Sequence, residues 1–180
     1  MHTLHHAVAH CRTLVVDGPD GICRSGLLTE LARHGFLIRR AEAQPHHVDP
    51  CRPYRELLAA PGLLAVDGSI IHELVYGPMR RGQSRVTWIQ ALDFAEAIAE
   101  RDGALVHLTL THGQTAPQKQ QNAENTEGAR AVSAYERAFH TLAQHVPVIT
   151  VDVGGLGPPI RAPDSSPFQL GQFTGKLTVG

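Results

Sequence analysis

The run TLVVD at Thr13–Asp17 breaks into Gly18-Pro19-Asp20-Gly21 and is followed at once by the helical pattern SGLLTELARHG, which Gly35 closes. Apolar and β-branched residues without polar alternation describe a strand buried on both faces. A buried strand that feeds a helix through a tight glycine turn is the repeating unit of a helix-covered parallel sheet. The pattern recurs along the chain. Residues 36–39 read as a second strand, 52–60 as a short helix, and 63–67 (LLAVD) as a third buried strand that ends, like the first, in an acid. Residues 69–76 read as helical, 87–101 (TWIQALDFAEAIAER) carry apolar residues at helical spacing up to Asp102-Gly103, and 104–110 supply a fourth strand. Residues 129–144 resume a helix, and 147–153 (PVITVDV) give a fifth strand. The expected fold is α/β, a doubly wound parallel five-stranded sheet with helices on both faces. Ligands of such sheets sit beyond the carboxyl ends of the strands, where Asp17 and Asp67 fall.

Residues 111–128 are polar, rich in Gln and Asn, and are expected to form a mobile loop or a helical lid. From Gly154 onward the chain is rich in Gly and Pro and has little periodicity. The expected organisation is an N-terminal segment (1–11), one α/β domain (12–153) and a tail (154–180). A chain of 180 residues with 42% hydrophobic content can build one such core. The net charge of -1 supplies no field to draw in a nucleic acid polymer or an anionic membrane, so an anionic ligand must be held by local groups. No apolar run approaches the roughly 20 residues that span a bilayer, and the first residues lack a signal-peptide core, which makes a cytoplasmic protein the expectation. Cys11, Cys23 and Cys51 are too few and too scattered for a disulfide framework, so reduced thiols are expected. His2, His5, His6 and His10 have spacings that metal ligands on one helical face can use. No carboxylate or thiolate pattern completes a site, and a solvated, mobile segment is the plainer expectation.

A phosphate-binding loop of the form Gly-x-x-x-x-Gly-Lys-Ser/Thr works because backbone N–H groups wrap a phosphate, the second glycine permits close approach, the lysine neutralises charge and the hydroxyl holds magnesium. Here Gly18 and Ser25 match, while Cys23 stands at the second glycine and Arg24 at the lysine. Taken alone, the segment is either a phosphate site or a tight structural connection. VVDGPDGICRSGLL, however, resembles the phosphate loop of thymidylate kinases, a strand followed by Gly-Pro-Asp-Gly-x-Gly-Lys-Ser. VDGSIIHELVYGPMRRG resembles that family's Asp-Arg-Ser-x-x-Ser-Glu-x-Val-Tyr-Gly with its following Arg-Gly. The resemblance runs over about residues 12–153. It implies the fold of a P-loop nucleoside monophosphate kinase and, by the same resemblance, a homodimer.

The departures from that family fall at functional positions. Asp67 retains the Asp of the Asp-Arg pair, but the Arg has become Gly68, which removes a phosphate anchor. His72 replaces a serine and brings a group that exchanges protons near neutral pH; it is either a new catalytic group or a surface histidine without a role. Cys23 at a glycine-type position costs about 1–2 kcal/mol of backbone strain and, with Ile22, adds side-chain volume beside the phosphate path. A changed loop that does not enclose the β-phosphate of ATP is therefore expected. Arg24 keeps the charge, yet its planar fork suits one phosphate better than the gap between two. Fourteen of the sixteen basic residues are Arg, so a compositional preference can also account for that change. Residues 111–128 offer Lys119 and no arginine to meet transition-state charge.

Asp20, Glu73, Tyr76, Arg81 and Arg85, by contrast, match positions in or beside the acceptor-nucleotide site of thymidylate kinases. The contrast implies a nucleoside 5′-monophosphate as ligand, ATP not used, and kinase chemistry turned toward hydrolysis. The candidate catalytic residues are Asp20, Asp67, His72 and Arg24. The candidate substrate contacts are Glu73, Tyr76, Arg81, Arg85, Gly21 and Ser25, and Asp67 and Ser25 are candidate magnesium ligands. An ATP-dependent nucleoside monophosphate kinase and a non-catalytic nucleotide-binding protein are the alternatives.

Overall fold

A computed structural model describes residues 4–41, 49–110 and 124–153, with the side chains of 124–126 left aside. In chain order the elements are α1 (Leu4–His10), β1 (Thr13–Asp17), α2 (Ser25–Arg33), β2 (Leu37–Arg39), α3 (Arg52–Leu58), β3 (Leu64–Asp67), α4 (Ile70–Arg81), α5 (Trp88–Ala99), β4 (Gly103–Thr109), α6 (Glu124–Leu142) and β5 (Val148–Asp152). The strands form one sheet in the order β2-β3-β1-β4-β5. Every pairing is parallel.

The period-2 alternation of the central strands sends side chains to two cores. Leu14, Val16, Ala65, Val106 and Ile149 meet α1 and α2 on one face, through Leu4, Ala7, Leu27 and Leu31. Val15, Val66, Leu105 and Val148 meet α3 to α6 on the other, where Phe94, Ile98, Tyr135, Phe139 and Leu142 pack. Each fully buried aliphatic side chain contributes about 1.5–3 kcal/mol, which is why near-continuous apolar strands can hold a parallel sheet. The expected α/β architecture with both faces covered is thus the one observed.

Two segments differ from the sequence reading, and a third fits one of its two alternatives. The N-terminal segment is not a loose arm among the described residues: Leu4 and Ala7 are buried, and they dock α1 on the sheet. Helix α4 does not stop at Tyr76 but runs through Pro78 to Arg81, ending at Gly82 with φ 76°. The Gly77-Pro78 pair reads as a breaker, but packing of Val75, Tyr76 and Gly77 and the N-cap at Ser69 carry the helix across it. Helix α6 starts at Glu124, so the C-terminal part of the anticipated lid is helical. The rest of that lid, 111–123 with Lys119, and the tail from 154 lie outside the described residues.

Candidate functional site

β1 and β3 pair in register Val16↔Asp67, which brings the acids at their carboxyl ends together above the sheet. Asp17 is completely buried. Its Oδ1 accepts from Gly18 N at 2.8 Å and from the Tyr135 hydroxyl at 3.3 Å, and its Oδ2 accepts from Ser69 Oγ at 2.5 Å. Burial pushes its pKa above the usual carboxylate range, opposed by the Ser69 hydrogen bond and the Arg24 charge.

Arg24, the last residue before α2, folds back over its own loop. Its Nη2 donates to the Gly18 carbonyl at 2.9 Å and lies 3.6 Å from Asp17 Oδ1, while Nη1 donates to Asp67 Oδ1 at 3.4 Å. The other Asp67 oxygen accepts from Arg40, which follows β2. One guanidinium therefore ties two strand ends together, and a second closes over the outer acid. Gly68 follows in a left-handed conformation at φ 83°, which favours glycine, and a Cβ there would make only ordinary contact, 3.5 Å from Arg24 Nη1.

The loop before α2 does not carry the backbone strain expected at Cys23. Among the described residues Asp102 is the sole non-glycine with positive φ, so Cys23 sits in an ordinary backbone conformation, and Gly21 takes the left-handed one at φ 87°. Ile22 is buried in the core shared with α2. Cys23 is exposed, with Sγ 3.2 Å from Ser25 Oγ, and hydrogen bonds from Ser25 lower its thiol pKa.

Asp20 binds the loop to α4. Its N–H donates to the Tyr76 hydroxyl at 2.8 Å, His72 Nε2 lies 3.1 Å from Oδ1, and Arg80 Nη2 donates to Oδ2 at 2.7 Å. Burial raises the Asp20 pKa, but the hydrogen bonds from Arg80 and His72 outweigh it and hold the carboxyl below its ordinary range. Arg80 also lies over the Tyr76 ring at 4.1 Å and reaches Glu127 of α6 at 3.1 Å.

Two clefts open at this end of the sheet. The first, ≈ 370 Å³, is lined by Arg24, Arg40, Asp67, His72, Glu73 and Arg85 over an apolar wall of Tyr54, Ile70 and Val86. The second, ≈ 340 Å³, lies beside Ile22, Cys23, Ser25 and Leu28 and shares Arg24, Arg40 and Asp67 with the first. The expected residues Arg24, Asp67, His72, Glu73, Arg85 and Ser25 thus line the clefts, while Asp20, Gly21, Tyr76 and Arg81 line neither. Tyr76 is buried beneath the loop as its acceptor, and Arg81 pairs with Glu73. Glu73 also accepts from Arg85 N at 2.8 Å, so it braces the turn after α4 as well as facing the cleft.

The donor set does not suit magnesium in this arrangement. Asp67 already has a guanidinium at each oxygen, and Ser25 Oγ is engaged with Cys23. Two adjacent cations oppose a third. Among the described residues no group of three or more His, Cys, Asp or Glu could hold a metal ion. No helix among them is long and apolar enough to cross a membrane.

Sequence reasoning put Asp17 at the ligand end of the sheet but gave it no role, and it missed Ser69, Tyr135, Arg40 and Arg80. A signal existed for Asp17, an acid closing an otherwise apolar strand. Arg40 lies 27 residues from its partner Asp67, and nothing local marks the pairing.

A parallel sheet of this order, with a glycine turn leading from its first strand into a helix, is a P-loop kinase-like α/β fold. The YorR protein of Bacillus subtilis, solved in complex with phosphorylated GDP, shares it with a TM-score of 0.60 and 13% identity, over 79% of this chain and 86% of that one. At that identity the likeness establishes the fold alone. No protein-family model and no curated protein sequence matches the chain.

Proposed function

We propose that the chain is a nucleotide-processing enzyme that binds a nucleoside 5′-monophosphate in the first cleft and releases its phosphate by hydrolysis without ATP. The observation that carries this reading is the placement of His72, hydrogen-bonded to Asp20, in a cleft that also presents Arg24, Arg40 and Arg85. Three guanidinium groups suit a phosphate dianion, and the apolar wall of Tyr54, Ile70 and Val86 suits a nucleoside. The nucleotide held by YorR and the resemblance of residues 15–28 and 66–82 to thymidylate kinases both favour a nucleotide ligand.

In this reading Asp20 holds Nε2–H of His72, which leaves Nδ1 as the base. Water attacks phosphorus as Nδ1 takes its proton. The bond from phosphorus to the 5′ oxygen breaks, the proton passes from the imidazolium to that oxygen, and nucleoside and inorganic phosphate leave. Arg24 and Arg85 meet the charge that develops on the equatorial oxygens. No step passes through a metal ion, and the occupied Asp67 supports that choice.

Incubation with a panel of nucleoside 5′-monophosphates without ATP, following phosphate, nucleoside and free base, tests the proposal. Phosphate and nucleoside in equal amounts are expected, with His72→Asn slower by about two orders of magnitude or more. Turnover of none of the panel sinks the hydrolase reading. The P-loop kinase-like fold favours a second reading, an ATP-dependent nucleoside monophosphate kinase, which ATP-coupled diphosphate formation distinguishes. A homodimer is part of the proposal, and the exposed Trp88 (46%) and Ile89 (71%) at the start of α5 give it a candidate face; sedimentation of Trp88→Ser against wild type tests it.

A further inference from the structure

We infer that His6 and His10 form a surface site for a transition-metal ion of the Zn(II), Ni(II) or Cu(II) type on the outer side of α1, away from both clefts. Residues four apart share a helical face. Here the two imidazole rings stack, with centroids 4.1 Å apart and 24° between their planes. Leu4 and Ala7 on the inner side of the same helix are buried, while His6 and His10 are exposed, so docking of α1 holds this pair outward.

The tautomer also suits a metal. His10 Nδ1 lies 2.8 Å from the His6 carbonyl oxygen. A carbonyl can only accept, so Nδ1 carries the proton and Nε2 of the neutral ring keeps its lone pair. A backbone carbonyl on one ring nitrogen is the arrangement that commonly orients a metal-binding histidine and fixes which nitrogen is available. Two imidazole nitrogens at about 2.1 Å from one ion stand about 3 Å apart, so modest side-chain rotation brings the stacked rings onto a shared ion. Imidazole nitrogen selects Zn, Ni or Cu over magnesium or calcium, and the remaining coordination positions fall to water or a small anion.

Calorimetric titration of the full chain with zinc chloride, paired with Cu(II) electron paramagnetic resonance, tests the site. Expected are a binding step that His6→Gln and His10→Gln each weaken by about tenfold or more, unchanged binding in His5→Gln, and copper hyperfine structure from two imidazole nitrogens in wild type. All three positions are exposed, and metal-free melting of each variant checks that the fold is retained. Absence of zinc binding in wild type, wild-type affinity in the doubly substituted His6→Gln/His10→Gln chain, or an equal loss in His5→Gln overturns the inference.

Discussion

Arg24 neutralises two acids whose burial differs. Asp67 has Arg40 as well, whereas the fully buried Asp17 has Arg24 as its cationic neighbour among the described ion pairs. Removing one partner of a buried pair typically costs about 3–5 kcal/mol, because it strands the other. Arg24→Met is therefore expected to lose about 3 kcal/mol of stability, and Arg24→Met with Asp17→Asn to recover much of it, measured by urea denaturation as a double-mutant cycle. His107 gives a second expectation at this scale. It is buried on β4 against Phe139, with ring centroids 4.3 Å apart, and burial lowers its pKa to about 4. The unfolded chain takes up this proton near pH 6.5 and the folded chain does not until about 4, so the contribution is complete above the first value and is lost as pH falls between the two. Up to about 3 kcal/mol is at stake, and His107→Phe is expected to flatten that part of the stability profile in denaturant melts across acidic pH.

The joint between α4 and its following turn is tightly built. A Cβ at Gly77 would meet Ser84 Cα at 2.8 Å and Glu73 Oε1 at 2.9 Å, so Gly77→Ala must push the turn away and release the Arg85 N–H from Glu73. A loss of about 1–3 kcal/mol in thermal melts is expected, together with weaker nucleotide binding, because Arg85 lines the first cleft. The loop before α2 carries a different expectation. Cys23→Gly with Arg24→Lys is expected to recover measurable ATP affinity by calorimetry while turnover stays poor, since Gly68 brings no cation of its own. Micromolar binding of magnesium-ATP by the unaltered chain contradicts this view of the loop. The elements themselves were legible because burial writes itself locally: TLVVD, LLAVD and PVITVD are strands wherever they fold. The end of α4 was not, since Pro78 is a local stop signal and what overrides it is packing against residues far along the chain. Within the site, residue types were readable and partners were not. Tyr76 looks like a nucleotide contact in sequence, and the Asp20 N–H beneath which it lies makes it a brace.

For the molecule as a whole, a ligand that binds only the folded state raises its stability by about 2.7 kcal/mol at a hundred times its Kd. A nucleoside 5′-monophosphate is expected to raise Tm by several degrees in scanning calorimetry and ATP to leave it unmoved. The two-faced core and the placement of both strand-end acids followed from a parallel sheet covered by helices, which the alternation of apolar strands and helical segments already implied. The cross-links over the sheet end did not, because Arg24, Arg40 and Arg80 are three among fourteen arginines of similar local surroundings. One of those cross-links bears on how such a sequence can change over generations. A side chain placed at Gly68 meets a left-handed backbone at φ 83°, while loss of the cation at 24 leaves the buried Asp17 without its cationic neighbour among the described ion pairs. A single step away from either residue is uphill, so both positions resist change. The surrounding loop can drift, but each of these two positions is held by its own cost, one a backbone conformation and the other a buried charge.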